Sequence, residues 1–424
     1  MYADVIRRYH QLLNQEVLYL CGADENALKI FQAAEKSGQT PQAFTDLHNQ
    51  EFLEVAKQLN VHFDIWQRGS DQKNHFPSSQ KLWELCQKNG DIYKKSYTGL
   101  YCVGCEMFYT EDELNEKGEC FEHPGRKLDK VSEENYFFKL SRYQTFLEDL
   151  LVHDKLKVIP DIRKNEALAF VQRGLPDFSI SRSRERARGW GIPVPGDESQ
   201  IMYVWFDALN IYQTGIGFHG DETTYRKWSP QDVMVIGKGI IRFLTVDGQK
   251  MSKTIGNVVD PIEVIQKYGT DATRYYLLRE IPSTADGDYS QRRFKELYNA
   301  DLANGLGNLV ARISRLAEKV TLTPPLTEEF QADYKNLLNS FQFDLALAWI
   351  WEKIKITDKF INDNEPWKIT DQKKLTEVLQ KAVNEIGEIA FHLQPFLPDT
   401  AEKILTQFSG SQIKSQPPLF PRLS

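Results

Sequence analysis

Apolar positions in the first hundred residues follow two alternating rhythms. Residues 2–14 carry them at three- and four-residue spacing, which predicts a helix with one inward face. Val17-Leu-Tyr-Leu-Cys21 is a continuous apolar run closed by Gly22, and it predicts a buried strand. Residues 24–36 and 41–60 return to helical spacing. Alternation of this kind predicts a parallel sheet with crossover helices. Between about 95 and 190 the texture changes to short aromatic strands, glycines and close cysteine pairs, as in an inserted module. Met202-Tyr-Val-Trp-Phe206 and Asp232-Val-Met-Val-Ile236 then predict further strands of the parallel sheet. Beyond about 270 the pattern is almost entirely helical. Leu302, Leu306, Leu309, Ile313 and Leu316 mark one apolar face of a long helix. A second such stretch runs from Leu345 to Ile361 and stops before Pro366, and Gln416 to Arg422 predicts a proline-punctuated, packed tail.

A chain of 424 residues suits two or three domains. Its 41% hydrophobic content, rich in Phe and Tyr, supports sizeable cores and excludes wholesale disorder. No apolar run approaches the roughly 20 residues that span a bilayer. The opening residues read as helix interior and not as a secretory leader, so a cytoplasmic location is expected. A net charge of −7 argues against nonspecific coating of nucleic acid. Specific RNA binding stays open, because cations can gather on one face. Arg182, Arg184, Arg186 and Arg188 form such a gathering, although a solvated loop has the same charge pattern.

Cys102-Val-Gly-Cys105 is followed by Cys120-Phe-Glu-His123. Two close pairs of soft ligands can wrap a tetrahedral ion from two tight turns, and thiolate with imidazole selects zinc. Four filled positions leave no place for water, so the role would be structural. Cys21 and Cys86 stand apart, and an odd cysteine count speaks against a disulfide framework. The second chemical signal is Asp247-Gly-Gln-Lys250-Met-Ser-Lys253-Thr254. Two lysines flanking a serine in a glycine-punctuated loop suit a mobile clamp over a triphosphate. Such tetrapeptides also decorate solvent-facing loops, so the neighbouring residues must decide.

They do. Lys250-Met-Ser-Lys253-Thr, continuing Ile-Gly-Asn-Val-Val-Asp-Pro261, resembles the second signature loop of class I aminoacyl-tRNA synthetases. Further segments resemble the methionyl-tRNA synthetases in particular. These are Gly174-Leu-Pro-Asp-Phe-Ser-Ile-Ser-Arg182, Trp190-Gly-Ile-Pro-Val-Pro195, Tyr203-Val-Trp-Phe-Asp-Ala208, Tyr268-Gly-Thr-Asp-Ala-Thr-Arg274 and Asp286-Gly-Asp-Tyr-Ser290. Asn299-Ala-Asp-Leu-Ala-Asn-Gly-Leu-Gly-Asn308, Asn364-Glu-Pro-Trp367 and Leu393-Gln-Pro-Phe-Leu-Pro398 continue the series in family order.

The resemblance implies an α/β fold: a Rossmann-like doubly wound parallel sheet, incomplete here, with an inserted zinc-binding connective module and a following all-α anticodon-binding bundle. Its domains would be 1–94 and 191–290 for the catalytic part, 95–190 for the connective module, and 291–424 for the bundle. It also implies roles. Asp24 would hold the methionine ammonium, Trp205 and Tyr212 would wall the thioether pocket, and Ile240 would lie beneath. A buried cation needs a carboxylate and a thioether gains from aromatic neighbours. Lys250, Ser252 and Lys253 would bind ATP, with Lys250 and Lys253 stabilising pyrophosphate as it leaves and Mg2+ accompanying the nucleotide. Cys102, Cys105, Cys120 and His123 would hold Zn2+. Asn308, Arg312 and Trp367 would read the CAU anticodon of tRNA(Met). Asn308 and Arg312 lie four apart and share a helix face, while Trp367 after a proline fits either a stacking platform or a core plug.

Three departures from the family pattern stand out. The family's opening strand and HIGH-type histidine motif do not precede Ala3-Asp-Val-Ile-Arg-Arg-Tyr-His10. Gly237-Lys-Gly-Ile-Ile-Arg-Phe243 runs directly into Leu244, where the family has a histidine and an aromatic-rich helix, and Gly239 takes an acidic position. Asn26 and Ala27 replace a His-Gly, and Leu209 replaces a proline. The expected function is a methionine–tRNA ligase. The alternative is a synthetase remnant that only binds tRNA. Sister synthetases for leucine, valine, isoleucine or cysteine share the lysine–serine loop, but not the segments bearing Trp205, Tyr212 and Trp367, and editing enzymes would add a long inserted domain.

Overall fold

The computed structural model describes residues 1–423 except 103–106, 110–113, 121–124, 126, 237–243, 247–248, 251–257, 283–286 and 326–328, and gives the backbone alone at 97, 107–108, 244–246 and 249–250. The chain divides into two compact units. One comprises Leu20–Leu53 with Phe63–Asp232, and the other Met1–Tyr19, Glu54–His62 and Val233–Ser424.

In the first unit, strands Leu20–Ala23 and Ile65–Arg68 pair in parallel, from Leu20 opposite Ile65 to Ala23 opposite Arg68. The crossover between them carries helices Leu28–Lys36 and Pro41–Gln58, as the alternating pattern predicts. Thr40 Oγ1 accepts the N–H of Ala43 at 3.2 Å and Pro41 occupies the first turn, so this helix start is written in the sequence. Two boundaries need correction. The strand expected at 17–21 is Leu20–Ala23, and the helix expected from 24 begins at Leu28. Residues 24–27 are claimed instead by a turn whose Glu25 and Asn26 side chains are buried in hydrogen bonds.

The middle of this unit is antiparallel. Strand Ile92–Cys102 pairs with Asp129–Phe138 along most of its length, flanked by Met107–Tyr109 and Phe178–Ser179. Strand Asp197–Met202 lies between Ser181–Ser183 and Pro193–Val194. Met202–Phe206 is therefore not a strand of a parallel sheet. Met202 ends an antiparallel strand, and Val204–Asp207 is a helical turn. The burial pattern explains this. Tyr203, Val204 and Asp207 are buried while Trp205 is exposed, which is helical and not alternating. Trp83, Ile180, Ile192, Val194 and Met202 form the main core here.

The second unit is mostly helical and holds one continuous core. Leu302, Leu306, Leu309 and Ile313 are fully buried and Leu316 nearly so, as the periodicity predicts. The helix bearing them changes winding: Gln291–Leu297 and Asn308–Ala317 are α-helical, and Tyr298–Gly307 between them is π-helical. Ala300, Ala303, Gly305 and Gly307 place little bulk on that stretch, which tolerates the wider turn. The tail packs against it. Phe420 meets Tyr298 edge-on, and Leu423 N–H donates to Asn299 Oδ1 at 2.9 Å.

Helix Phe343–Asn364 ends where Glu365 turns left-handed and Pro366 forbids another turn. The Tyr268–Arg274 segment supplies a buried hub. The Arg274 guanidinium bonds Asp4 at 2.8 Å, Phe396 O at 2.7 Å and Leu59 O at 3.0 Å. Strand Leu244–Val246 pairs in parallel with Gly287–Tyr289 and antiparallel with Gln249–Lys250. The strand expected at Asp232–Ile236 is absent. Residues 233–236 are all exposed and join no sheet among the described residues. An apolar run becomes a strand only where a neighbour supplies ladder partners. Among the described residues no helix is long and apolar enough to cross a membrane.

Candidate active site

Asp24 sits exposed at the end of strand Leu20–Ala23, on a turn held rigidly from behind. The Glu25 carboxylate is buried and accepts from Arg68 Nε at 3.1 and 3.2 Å, from Ser70 N–H at 3.0 Å, from Ser70 Oγ at 2.6 Å, and from Asn49 Nδ2. Arg68 reaches on to Asp46 at 2.5 Å, which holds that carboxyl below its ordinary range. Trp190 Nε1 donates to Glu25 O at 2.7 Å, and Gly69 N–H donates to Ala23 O at 2.9 Å. Gly22 is required by contact alone, since a Cβ there would stand 2.2 Å from Gln67 O.

Trp205 lies on the turn Val204–Asp207 and is 53% exposed. Tyr212 lies on the next helical turn, Ile211–Gly215, half-buried, and burial with the neighbouring Cys21 pushes its hydroxyl pKa up. Beneath both runs a buried polar chain. Asn26 Nδ2 donates to Gly69 O at 2.8 Å and to Asp207 Oδ2 at 2.6 Å. Asp207 Oδ2 is 3.3 Å from His75 Nε2, and His75 Nδ1 is 2.9 Å from Thr214 Oγ1. Burial pushes the Asp207 carboxyl up, against the opposing pull of His75 and Asn26. The chain brings together the segments of Asp24, Trp205 and Tyr212. Ile240 lies outside the described residues.

The arginine run is not a uniformly solvated loop. Arg182 is buried with its guanidinium 4.0 Å from the Tyr203 ring centre, and Arg186 stands 4.1 Å from that of Tyr101, while Arg184 and Arg188 are exposed. Flat, weakly hydrated guanidinium groups gain by stacking on tyrosine. Cys102 and Cys120 are buried with their sulfurs 3.3 Å apart. Two thiolates on one tetrahedral zinc would stand about 3.8 Å apart, so these sulfurs are neighbours without ligand spacing. Cys105 and His123 fall outside the described residues, and no metal-ligand cluster occurs among those described.

In the second unit Lys250 ends the antiparallel strand opposite Thr245; its side chain, Ser252 and Lys253 are not described. Asn308 and Arg312 share the α-helical turn after the π-helical stretch, Asn308 exposed. Arg312 bonds Asp358 and, at 2.8 Å, Asn362 on the last turns of Phe343–Asn364. That helix leads directly to Trp367, which is 48% exposed and so is no core plug.

Sequence reasoning missed the supporting residues. Asp207 lies inside the Tyr203–Ala208 segment and Glu25 directly follows Asp24, but neither is marked by its own spacing. Nothing in spacing marks His75.

A profile described as "tRNA synthetases class I (M)" matches residues 1–246 and 241–314. Methionine–tRNA ligases of Thermotoga maritima and Brucella suis are 35% and 34% identical to the chain, over 98% and 99% of it and 72% and 93% of their own lengths. The chain belongs to the methionyl-tRNA synthetase family. A solved Mycobacterium tuberculosis methionyl-tRNA synthetase in complex with methionyl-adenylate superposes with a TM-score of 0.89 at 30% identity, covering 99% of this chain and 95% of that one. The apo form of the same synthetase gives 0.82 at 28% identity. The α/β synthetase fold with a helical C-terminal region follows. The two stretches matched by the family profile meet at 241–246.

Proposed function

We infer that this chain is a methionine–tRNA ligase, a class I aminoacyl-tRNA synthetase of protein biosynthesis. The likeness to a synthetase holding methionyl-adenylate, over 99% of the chain, carries this reading. The methionine carboxylate attacks the α-phosphorus of ATP and pyrophosphate leaves. The terminal adenosine hydroxyl of tRNA(Met) then attacks the acyl carbon and AMP leaves. Mg2+ accompanying ATP would supply charge neutralisation at the phosphates.

Asp24 takes the ammonium group, supported by its place at the tip of a turn clamped through Glu25 and Arg68. Trp205 and Tyr212 wall the thioether, with Ile240 beneath, and the indole and phenol faces offer it polarizable contact. Lys250, Ser252 and Lys253 close over the phosphates. Asn308, Arg312 and Trp367 take the anticodon, and the exposure of Trp367 leaves its ring free to stack on an unpaired base. Cys102, Cys105, Cys120 and His123 would hold a structural Zn2+, supported by the paired ligand spacing in the sequence and by the burial of Cys102 and Cys120 side by side.

The test is charging of tRNA by the purified chain. Methionine esterified to tRNA(Met), with no transfer of leucine, valine, isoleucine or cysteine, supports the reading. Anticodon-dependent binding of tRNA(Met) without charging would instead favour a tRNA-binding remnant.

A further inference from the structure

Resting on the methionine–tRNA ligase reading, we propose that the buried chain Asn26–Asp207–His75–Thr214 is the positioning device of the methionine pocket. It sets the spacing between the Asp24 turn, the Trp205 turn and the Tyr212 turn, and through that spacing sets the affinity for methionine.

Each link ties a different segment. Asn26 belongs to the turn of Asp24, Asp207 to the helical turn of Trp205, and Thr214 to the helical turn of Tyr212. His75 starts a fourth element, helix His75–Lys88, and bonds two of these three. Asn26, Asp207 and His75 are all at or below 5% exposure, so water does not compete for these bonds.

Thr214 Oγ1 gives its proton to Asn210 O at 2.9 Å, so it accepts from His75 Nδ1–H. His75 Nε2 faces Asp207 Oδ2 at 3.3 Å and the Ser79 hydroxyl at 3.4 Å, and Asn26 Nδ2 donates to that same Oδ2. Asn210 extends the chain, donating to Ser78 and Ser79 at 3.1 Å each.

A purely space-filling role fits poorly. Asn26 Oδ1, Asp207 Oδ1 and Asn210 Oδ1 are buried with no hydrogen-bond partner among the described residues. Leaving such atoms unmatched costs stability that apolar residues of equal volume would not. What the polar chain provides is a defined distance and orientation between three segments that carry the proposed methionine contacts. None of its four residues need touch the ligand. Asn26 matters most, because its side chain bonds directly from the turn of Asp24 to Asp207 on the turn of Trp205.

Equilibrium binding of methionine and, separately, of ATP to the full chain tests this. Asn26→Ala is expected to weaken methionine about tenfold while ATP affinity stays within roughly twofold. Asn26→His, which restores a donor toward Asp207, should return methionine affinity to within about threefold of the parent. Asp207→Asn keeps the volume, removes the carboxylate that accepts from Asn26 and should weaken methionine alone, so the inference stands on a second variant if Asn26→Ala does not fold. Unchanged methionine affinity in Asn26→Ala and Asp207→Asn, or equal loss of methionine and ATP affinity with no recovery in Asn26→His, would overturn the proposal and leave the ligase reading intact. A parent chain that binds no methionine at all would overturn both.

Discussion

Arg312 and Trp367 show how much a residue's environment adds to its identity. Trp367 follows a proline and is 48% exposed, so its ring contributes little to the core. Trp367→Ala is expected to leave the melting temperature unchanged and to raise the KM for tRNA(Met) about tenfold, the cost of one lost base–aromatic stack; steady-state charging with methionine and ATP held saturating checks it. Asp197 yields a pH dependence. It accepts from the Ser199 hydroxyl at 2.5 Å, from Ser199 N–H at 3.1 Å, from Lys94 at 3.0 Å and from Tyr136 at 3.1 Å, and its pKa is lowered from 3.8 to about 2, chiefly through the Ser199 hydroxyl. A carboxyl depressed in the folded state stabilises fully above its unfolded pKa and loses that contribution as pH falls toward the folded one. Stability should therefore decline between about pH 4 and 2 in the parent, and Asp197→Asn should flatten that part of the decline in acid melting curves. At this scale the sequence was legible where neighbours along the chain stay neighbours in space, as in the exposed Trp367 just after the helix Phe343–Asn364. It was illegible at His75, because its meaning lies in Asp207 and Thr214, both more than a hundred residues away.

At the scale of elements, local signals were read well and nonlocal ones poorly. The face from Leu302 to Leu316 is a property of one segment's periodicity, and the burial follows it residue by residue. Asp232–Ile236 has the same apolar character as a buried strand yet pairs with nothing described, because pairing depends on distant backbone. Met202–Phe206 failed for a related reason. Five apolar residues are too few to separate a period of two from one of 3.6. The π-helical stretch at Tyr298–Gly307 has no periodic signature apart from its small residues. Elements are also joined by charge. Asp4 on the first helix neutralises Arg274, and both side chains are fully buried. Asp4→Ala leaves an unpaired buried guanidinium and should cost about 3–5 kcal/mol, read from the urea midpoint at constant slope. The hairpin bearing Cys102 carries a parallel expectation. Cys102→Ser and Cys120→Ser should each lose a zinc content of roughly one equivalent and lower the melting temperature, with metal content measured on protein purified without chelator.

For the whole molecule, family likeness and geometry support one chemistry. The resemblance runs in order from the first residues to Leu393–Pro398, and the relatives found by comparison are methionine–tRNA ligases matched over nearly the whole chain. Adenylation is the step that separates a ligase from a tRNA-binding remnant, so it takes the direct measurement. Methionine-dependent exchange of labelled pyrophosphate into ATP isolates adenylation from tRNA binding. The account predicts exchange by the 424-residue chain that depends on methionine and falls at least about a hundredfold when Lys250 and Lys253 are both changed to Ala, as expected for removing preorganised charge from the leaving pyrophosphate. Folded, zinc-loaded protein that gives no more exchange than that double variant would contradict the account and leave tRNA binding as the surviving activity.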